Sequence, residues 1–190
     1  MRKINTRQLV QLGLLAAISI VLVYLIRFPI FLSDPYLEYD MADVPILIGG
    51  FLFGPVWGLL LTAVVSVLQW LLVSQQSGWV GAVMHFCASG AFVLTAAFIY
   101  RFRHERVGAL IGLIAGALGM VLVMIPLNLI FTVHFLGAPR SVVEQKLLPV
   151  IIPFNAIKAF ANAALTFLLY KPLSMLFKMF GRKSDKKLEE

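Results

Sequence analysis

The chain is 190 residues long, 61% of them hydrophobic, with a formal net charge of +7 and a mean hydropathy of +0.93. A soluble domain is nearer roughly 45–50% apolar, so these figures exclude one and point to an all-α integral membrane protein. The basic residues lie in short segments between apolar runs, which reads as a sidedness signal and not as a patch for nucleic acid.

Arg2, Lys3 and Arg7 precede an apolar run over 9–26. No small-x-small cleavage site follows, so the run is a first membrane helix (8–28) and not a leader. Gly13 and Ala17 form a small-xxx-small pair within it, which lets another helix approach closely. An acidic loop comes next, with Asp34, Glu38, Asp40 and Asp43. Tyr36-Leu37-Glu38-Tyr39-Asp40 reads as a short extended segment, and Asp43 before Val44-Pro45 as a helix N-cap. Taken alone, these acids describe a solvated loop plus one cap. The run 44–53 reaches only about 15 Å, half a bilayer, before Gly54-Pro55 interrupts it and a full run, 56–73, follows. Treating the two as separate helices keeps Arg101, Arg103 and Arg106 on the side of the N-terminus; a single kinked helix would put them outside, against the positive-inside rule.

After a short outer loop at 74–78, the fourth helix (79–100) carries His85, Cys87 and Ser89. His85 and Cys87 are two apart and point away from each other, so they are no chelating pair. His85 is then either an interior histidine satisfied by its neighbours or a ligand contact. In the fifth helix (108–134), Gly108, Gly112 and Gly116 make overlapping GxxxG patterns that predict close packing. Pro126 frees a backbone carbonyl there, and Asn128 follows it. Residues 135–148 read as an outer loop. The sixth helix (149–177) has its inner end disturbed by Lys171-Pro172, and a charged, frayed tail (179–190) follows. The whole chain, 1–190, is one domain: a bundle of six transmembrane helices, the second one short, with the N and C termini cytoplasmic. In that topology every Lys and Arg except Arg27, Arg140, Lys146 and Lys158 falls on the inner side.

The sixth helix opens with Pro153-Phe154-Asn155-Ala156-Ile157-Lys158. Asn155, Lys158, Asn162 and Thr166 stand at i, i+3, i+7 and i+11, one polar stripe on an apolar cylinder. A lysine at the centre of a membrane helix costs about 2.5–3.5 kcal/mol on insertion scales. Either the stripe faces the bundle interior, a wet cavity or a ligand, or Lys158 snorkels to the interface past Pro153. The acidic loop, Asn128 and the Asn155/Lys158 pair all fall toward the outer face, where they can line one pocket.

No Gly is followed by Lys, which removes a Walker A loop, and no HExxH, G-x-S-x-G or CxxC is present. A lipid-acting intramembrane enzyme needs a nucleophile or acid–base pair at one depth, and none is visible. A scaffold has no use for a lysine and two carboxamides inside the membrane. A receptor or translocating subunit that draws its energy from another protein fits the pattern.

These residues resemble the S-components of energy-coupling factor (ECF) vitamin transporters, most of all the riboflavin-specific ones. The likeness rests on Tyr36-Leu37-Glu38-Tyr39-Asp40, on Asp43-Val44-Pro45, on Phe51-Leu52-Phe53-Gly54-Pro55, and on Pro153-Phe154-Asn155-Ala156-Ile157-Lys158 leading to Leu169-Tyr170-Lys171. It spans roughly residues 8–178. It implies a bacterial plasma-membrane protein that binds riboflavin as transported substrate, with no cofactor and no enzymatic activity. It also implies docking onto a transmembrane coupling subunit driven by two cytoplasmic ATPase subunits. By resemblance, Asn155 and Lys158 contact the isoalloxazine ring, Asn128 is the fifth-helix contact, and Leu37, Glu38, Tyr39 and Asp40 cover the flavin. His85 is the candidate from the fourth helix. Gly13 and Ala17 form the docking face, where the family often has Ala at both positions. Another vitamin of the same family, pantothenate or thiamine, is the alternative substrate.

Overall fold

A computed structural model describes residues 6–73 and 78–186, with backbone alone for 176–186. Arg2, Lys3, Lys187 and most of the expected loop at 74–78 lie outside the described residues. Helix α1 (Thr6–Leu25) leads into two short strands, β1 (Arg27–Pro29) and β2 (Glu38–Asp40). These pair antiparallel, with Arg27 opposite Asp40, Phe28 opposite Tyr39 and Pro29 opposite Glu38. The helices α2 (Asp43–Phe53), α3 (Pro55–Leu72), α4 (Gly78–Phe102) and α5 (Arg106–Leu127) follow, and α5 runs on through a π-helical turn at Asn128–Thr132. A short helix, α6 (Arg140–Lys146), passes through a second π turn (Leu147–Ile151) into α7 (Ile152–Lys186).

Among the described residues, five helical segments are long and apolar enough to cross a membrane, and α2 is an apolar helix too short to do so. Helices α1 to α5 and α7 thus take the six expected segments, in a multi-pass membrane protein. Helix α2 sits at the centre: its residues from Asp43 to Gly50 are all buried, packed among α1, α3, α4 and α7. A short helix can lie wholly inside the bundle because its neighbours, not lipid, surround its ends. Gly54, at φ 97°, turns the chain sharply out of α2, and Pro55 starts α3.

Small residues let the helix backbones meet. A Cβ on Gly112 would stand 2.7 Å from the Ala96 carbonyl oxygen, and one on Gly116 2.7 Å from that of Phe92. The glycine pattern of α5 is therefore its seam with α4, in a setting where van der Waals contact replaces the hydrophobic effect as the force between helices. Gly13 and Ala17 face away from the bundle, and nothing lies within 4 Å of where a Cβ on Gly13 would stand.

Several local expectations are corrected. Asp43 is not an N-cap: Ala42 holds that position, while Asp43 is the first helical residue and is buried. The acids Asp34, Asp40 and Asp43 are not solvated but buried, because each finds a donor. The segment 135–148 is not only loop, since α6 occupies its second half. Helix α7 continues past Pro172 and through the expected frayed tail to Lys186. A membrane helix tolerates a proline where neighbouring groups re-satisfy the freed carbonyl.

Candidate functional site

At the end of the bundle opposite the basic α4–α5 turn lies a cavity of about 610 Å³, within the usual range of ligand sites. The β1–β2 hairpin and its loop cover it. Asn155 and Lys158 line it from α7, Leu37, Glu38 and Asp40 from the lid, and His85 from α4. Met84, Met120, Met124 and Phe154 give it an apolar wall.

Lys158 does not snorkel. Its Nζ donates to Asp40 Oδ2 at 2.8 Å, with the lysine 7% and the aspartate 4% exposed. Asp40 Oδ1 accepts the Ala42 backbone N–H at 3.0 Å. Burial, the largest influence, pushes the Asp40 carboxyl up, but the charge and hydrogen bond of Lys158, together with His85 and the Ala42 N–H, hold the group below the usual carboxylate range. One cation and one carboxylate thus enter the site as a neutral pair.

The rest of the α7 stripe explains how the pair is held. Asn162 is fully buried. Its Nδ2 donates to the Asp40 carbonyl at 3.1 Å and to Asp43 Oδ2 at 3.0 Å, and its Oδ1 accepts the Tyr39 hydroxyl at 2.9 Å. A single carboxamide so joins the lid strand, the start of α2 and α7. Asp43 Oδ1 also accepts the Ser89 hydroxyl at 2.5 Å. Asn155 anchors its own amide on the Ile151 carbonyl at 2.8 Å, which fixes the direction in which it faces the cavity. His85 is both an interior histidine and a cavity wall: Nδ1 lies 2.8 Å from Ser66 Oγ. The Ser66 proton goes to the Thr62 carbonyl at 2.8 Å, so the histidine is the donor in that contact.

Two expected contacts stand off the cavity wall. Tyr39 is buried behind it, on Asn162. The Asn128 carboxamide is engaged in its own helix, donating to the Met124 carbonyl at 2.8 Å and accepting from Thr132 at 3.2 Å, where the π turn after Pro126 leaves backbone groups to satisfy.

The sequence reading missed the α3 wall, Ser66, Gln69 and Trp70. The signal was available: Thr62, Ser66 and Gln69 stand at i, i+4 and i+7, a polar stripe like that of α7. It also missed the ties of the lid. Arg27 pairs with Glu38 and donates to the Val73 carbonyl at the end of α3 at 3.1 Å. Asp34 pairs with Lys146 of α6 and accepts from Tyr36 at 2.9 Å and Ser33 at 3.0 Å. The Lys146 hydrogen bond holds the Asp34 carboxyl low against burial, and the same bond raises Lys146.

The site can enclose a molecule with an apolar body and polar edges. Among the described residues no group of three or more His, Cys, Asp and Glu side chains is placed to hold a metal.

The sequence profile of the family described as "ECF transporter, substrate-specific component" matches residues 7–170. The chain is 34% identical over 186 residues to a riboflavin transporter, RibU, of Staphylococcus aureus (strain TCH60), covering 93% of this chain and 97% of that one. It is 30% identical over 179 residues to a riboflavin transporter, FmnP, of Bacillus subtilis (strain 168), covering 88% and 94%. A solved structure described under "Structure and mechanism of the S component of a bacterial ECF transporter" superposes with a TM-score of 0.77 at 34% identity, covering 91% of this chain and 98% of that one.

Proposed function

The chain belongs to the family of substrate-specific components of ECF transporters, and from that membership we propose that it captures riboflavin and translocates it across a bacterial plasma membrane. It is a transport protein and not an enzyme; riboflavin is its cargo. The observation that carries the reading is the largely apolar cavity lined by the mutually neutralising Lys158–Asp40 pair. Riboflavin is neutral, so it can use the outer hydrogen-bonding capacity of the pair without breaking it. Pantothenate, an anion, would have to compete with Asp40, and thiamine, a cation, with Lys158. An unpartnered buried charge would result in either case.

In this reading Asn155 and Lys158 meet the polar edge of the isoalloxazine ring. A carboxamide can pair with the ring N–H and a flanking carbonyl together, and Lys158 has N–H groups beyond the one on Asp40. Leu37, Glu38 and Asp40 cover the ligand and His85 closes the α4 side. Tyr39 acts through Asn162, and Asn128 by shaping the π turn. The outward Gly13–Ala17 face of α1 docks on a transmembrane coupling subunit, which two cytoplasmic ATPase subunits drive. This chain alone binds but does not pump.

The test is the visible absorption spectrum of the detergent-purified protein. A yellow preparation that releases riboflavin on denaturation is the expected result. A colourless protein that fails to quench added riboflavin fluorescence refutes the substrate, and pantothenate and thiamine are then titrated.

A further inference from the structure

At the end of the bundle away from the cavity, the turn that joins α4 to α5 is strongly basic. Arg101, Arg103 and Arg106 fall within six residues, and Glu105 is the only acid between Asp43 and Glu144. Every residue from Arg101 to Val107 is exposed. Among the described residues none of the three arginines is in an ion pair, although Glu105 stands beside them. Gly108 closes the turn: a Cβ there would stand 2.0 Å from the Arg103 carbonyl oxygen. The start of α5 therefore lies against the end of α4, and the three charges are held close together. The positive-inside rule says which side such a turn faces. It does not say what the charges bind there.

The flanking helices narrow the choice. On α4, Phe98 and Phe102 stand one turn apart and pack edge to face at 5.0 Å, with Phe102 72% exposed. On α5, Val107 and Ile111 are likewise one turn apart and exposed. The guanidinium groups thus stand at the edge of an apolar wall two helices wide. A partner that fits carries an anion at one end and a hydrocarbon chain at the other. Arginine pairs with phosphate oxygens through two parallel N–H donors, which favours a phosphate as the anion. A docked protein subunit fits less well, because α1, which carries the proposed docking face, packs on α2 and α3 and leaves the α4–α5 seam outside that face.

We propose that the α4–α5 turn is a binding site for an anionic phospholipid. The headgroup phosphate sits on Arg101, Arg103 and Arg106, and an acyl chain lies along Phe98, Phe102, Val107 and Ile111. With the cavity facing outward, this lipid belongs to the inner leaflet. The site is separate from the cavity and anchors the opposite end of the bundle at a fixed depth.

The experiment adds phosphatidylglycerol or phosphatidylcholine, with the same acyl chains, to the detergent-purified chain. Native mass spectrometry counts bound lipid while the melting temperature is followed. Phosphatidylglycerol binds and raises the melting temperature, less so as salt is raised; phosphatidylcholine does neither. Arg101→Gln/Arg103→Gln/Arg106→Gln weakens phosphatidylglycerol binding by roughly fivefold per arginine, about a hundredfold in all, and leaves the quenching of riboflavin fluorescence unchanged. Arg103→Gln alone reads the fivefold step should the triple variant fold poorly. Arg140→Gln, at an exposed arginine paired with Glu144 near the cavity end, leaves lipid binding as it was. Equal binding of the two lipids overturns the proposal, and so does a triple variant that binds phosphatidylglycerol like the wild type. A triple variant that keeps its lipid but no longer co-purifies with the ATPase subunits also overturns it, in favour of an acidic protein surface. The lipid readouts involve no flavin, so a failure of the substrate reading leaves them intact.

Discussion

Replacing Lys158 by methionine removes one half of a buried ion pair. At 2.8 Å the Coulomb attraction is about 6 kcal/mol for an effective dielectric constant near 20, and desolvation of both groups offsets most of it. The net worth of the pair is therefore small, but its halves are not separable. Loss of one partner leaves a buried charge, at about 3–5 kcal/mol. Asp40 keeps the Ala42 N–H and the weaker Gln69 contact, so the lower end applies. With about 2–4 °C per kcal/mol for a chain of this size, Lys158→Met lowers the melting temperature by roughly 10 °C. The double variant Asp40→Asn/Lys158→Met buries no charge and recovers most of that loss. It remains deficient in riboflavin binding by roughly 10- to 150-fold, the value of a hydrogen bond from a charged donor. Thermal melts and fluorescence quenching in detergent read the two effects separately. A double variant no more stable than the single one refutes the pairing argument, and one that binds riboflavin like the wild type refutes the contact.

Gly13→Leu and Ala17→Leu place bulk where the bundle has nothing to strike; melting temperature and flavin affinity stay put, while co-purification with the coupling subunit is lost. Normal assembly with impaired binding would reverse the assignment of that face. Asp34→Asn breaks the lid tie to Lys146, and riboflavin should exchange faster. The Lys146 bond depresses the Asp34 carboxyl, so its contribution is fully present above the ordinary value near about pH 3.9 and is lost as pH falls through the lower folded value. The difference in melting temperature between wild type and variant should stay flat from about pH 5 to 8 and shrink below about pH 4; a difference that changes within the flat range contradicts the assignment.

Much of the site was legible in the chain because membrane burial penalises polar residues strongly enough to make each one a signal. The Asn155, Lys158, Asn162 and Thr166 stripe is buried along its length, as the cost of a lysine among apolar residues demands. The same logic applied to Thr62, Ser66 and Gln69 would have found the α3 wall. Uncharged residues in an ordinary-looking span draw less notice than a lysine. The lid was harder. Its acids resemble any solvated loop until their partners are known, and those partners are remote: Lys146 for Asp34, Lys158 for Asp40, and Ser89 with Asn162 for Asp43.

Hydropathy and charge act locally along a chain, so the sequence by itself determined the number of membrane segments, the short second helix and the expected sidedness. A residue's depth in a bilayer follows from its own segment. Its neighbours do not, because they depend on how far each helix is rotated and where its regular winding is interrupted. The tertiary structure alone decided that Asn162 would bridge Tyr39, Asp40 and Asp43, and that Asn128 would bond within its own helix. It also decided that a charge pair separated by 118 positions would line the cavity. Those contacts are fixed by packing across the bundle, where small residues let backbones touch and most buried polar groups find a partner.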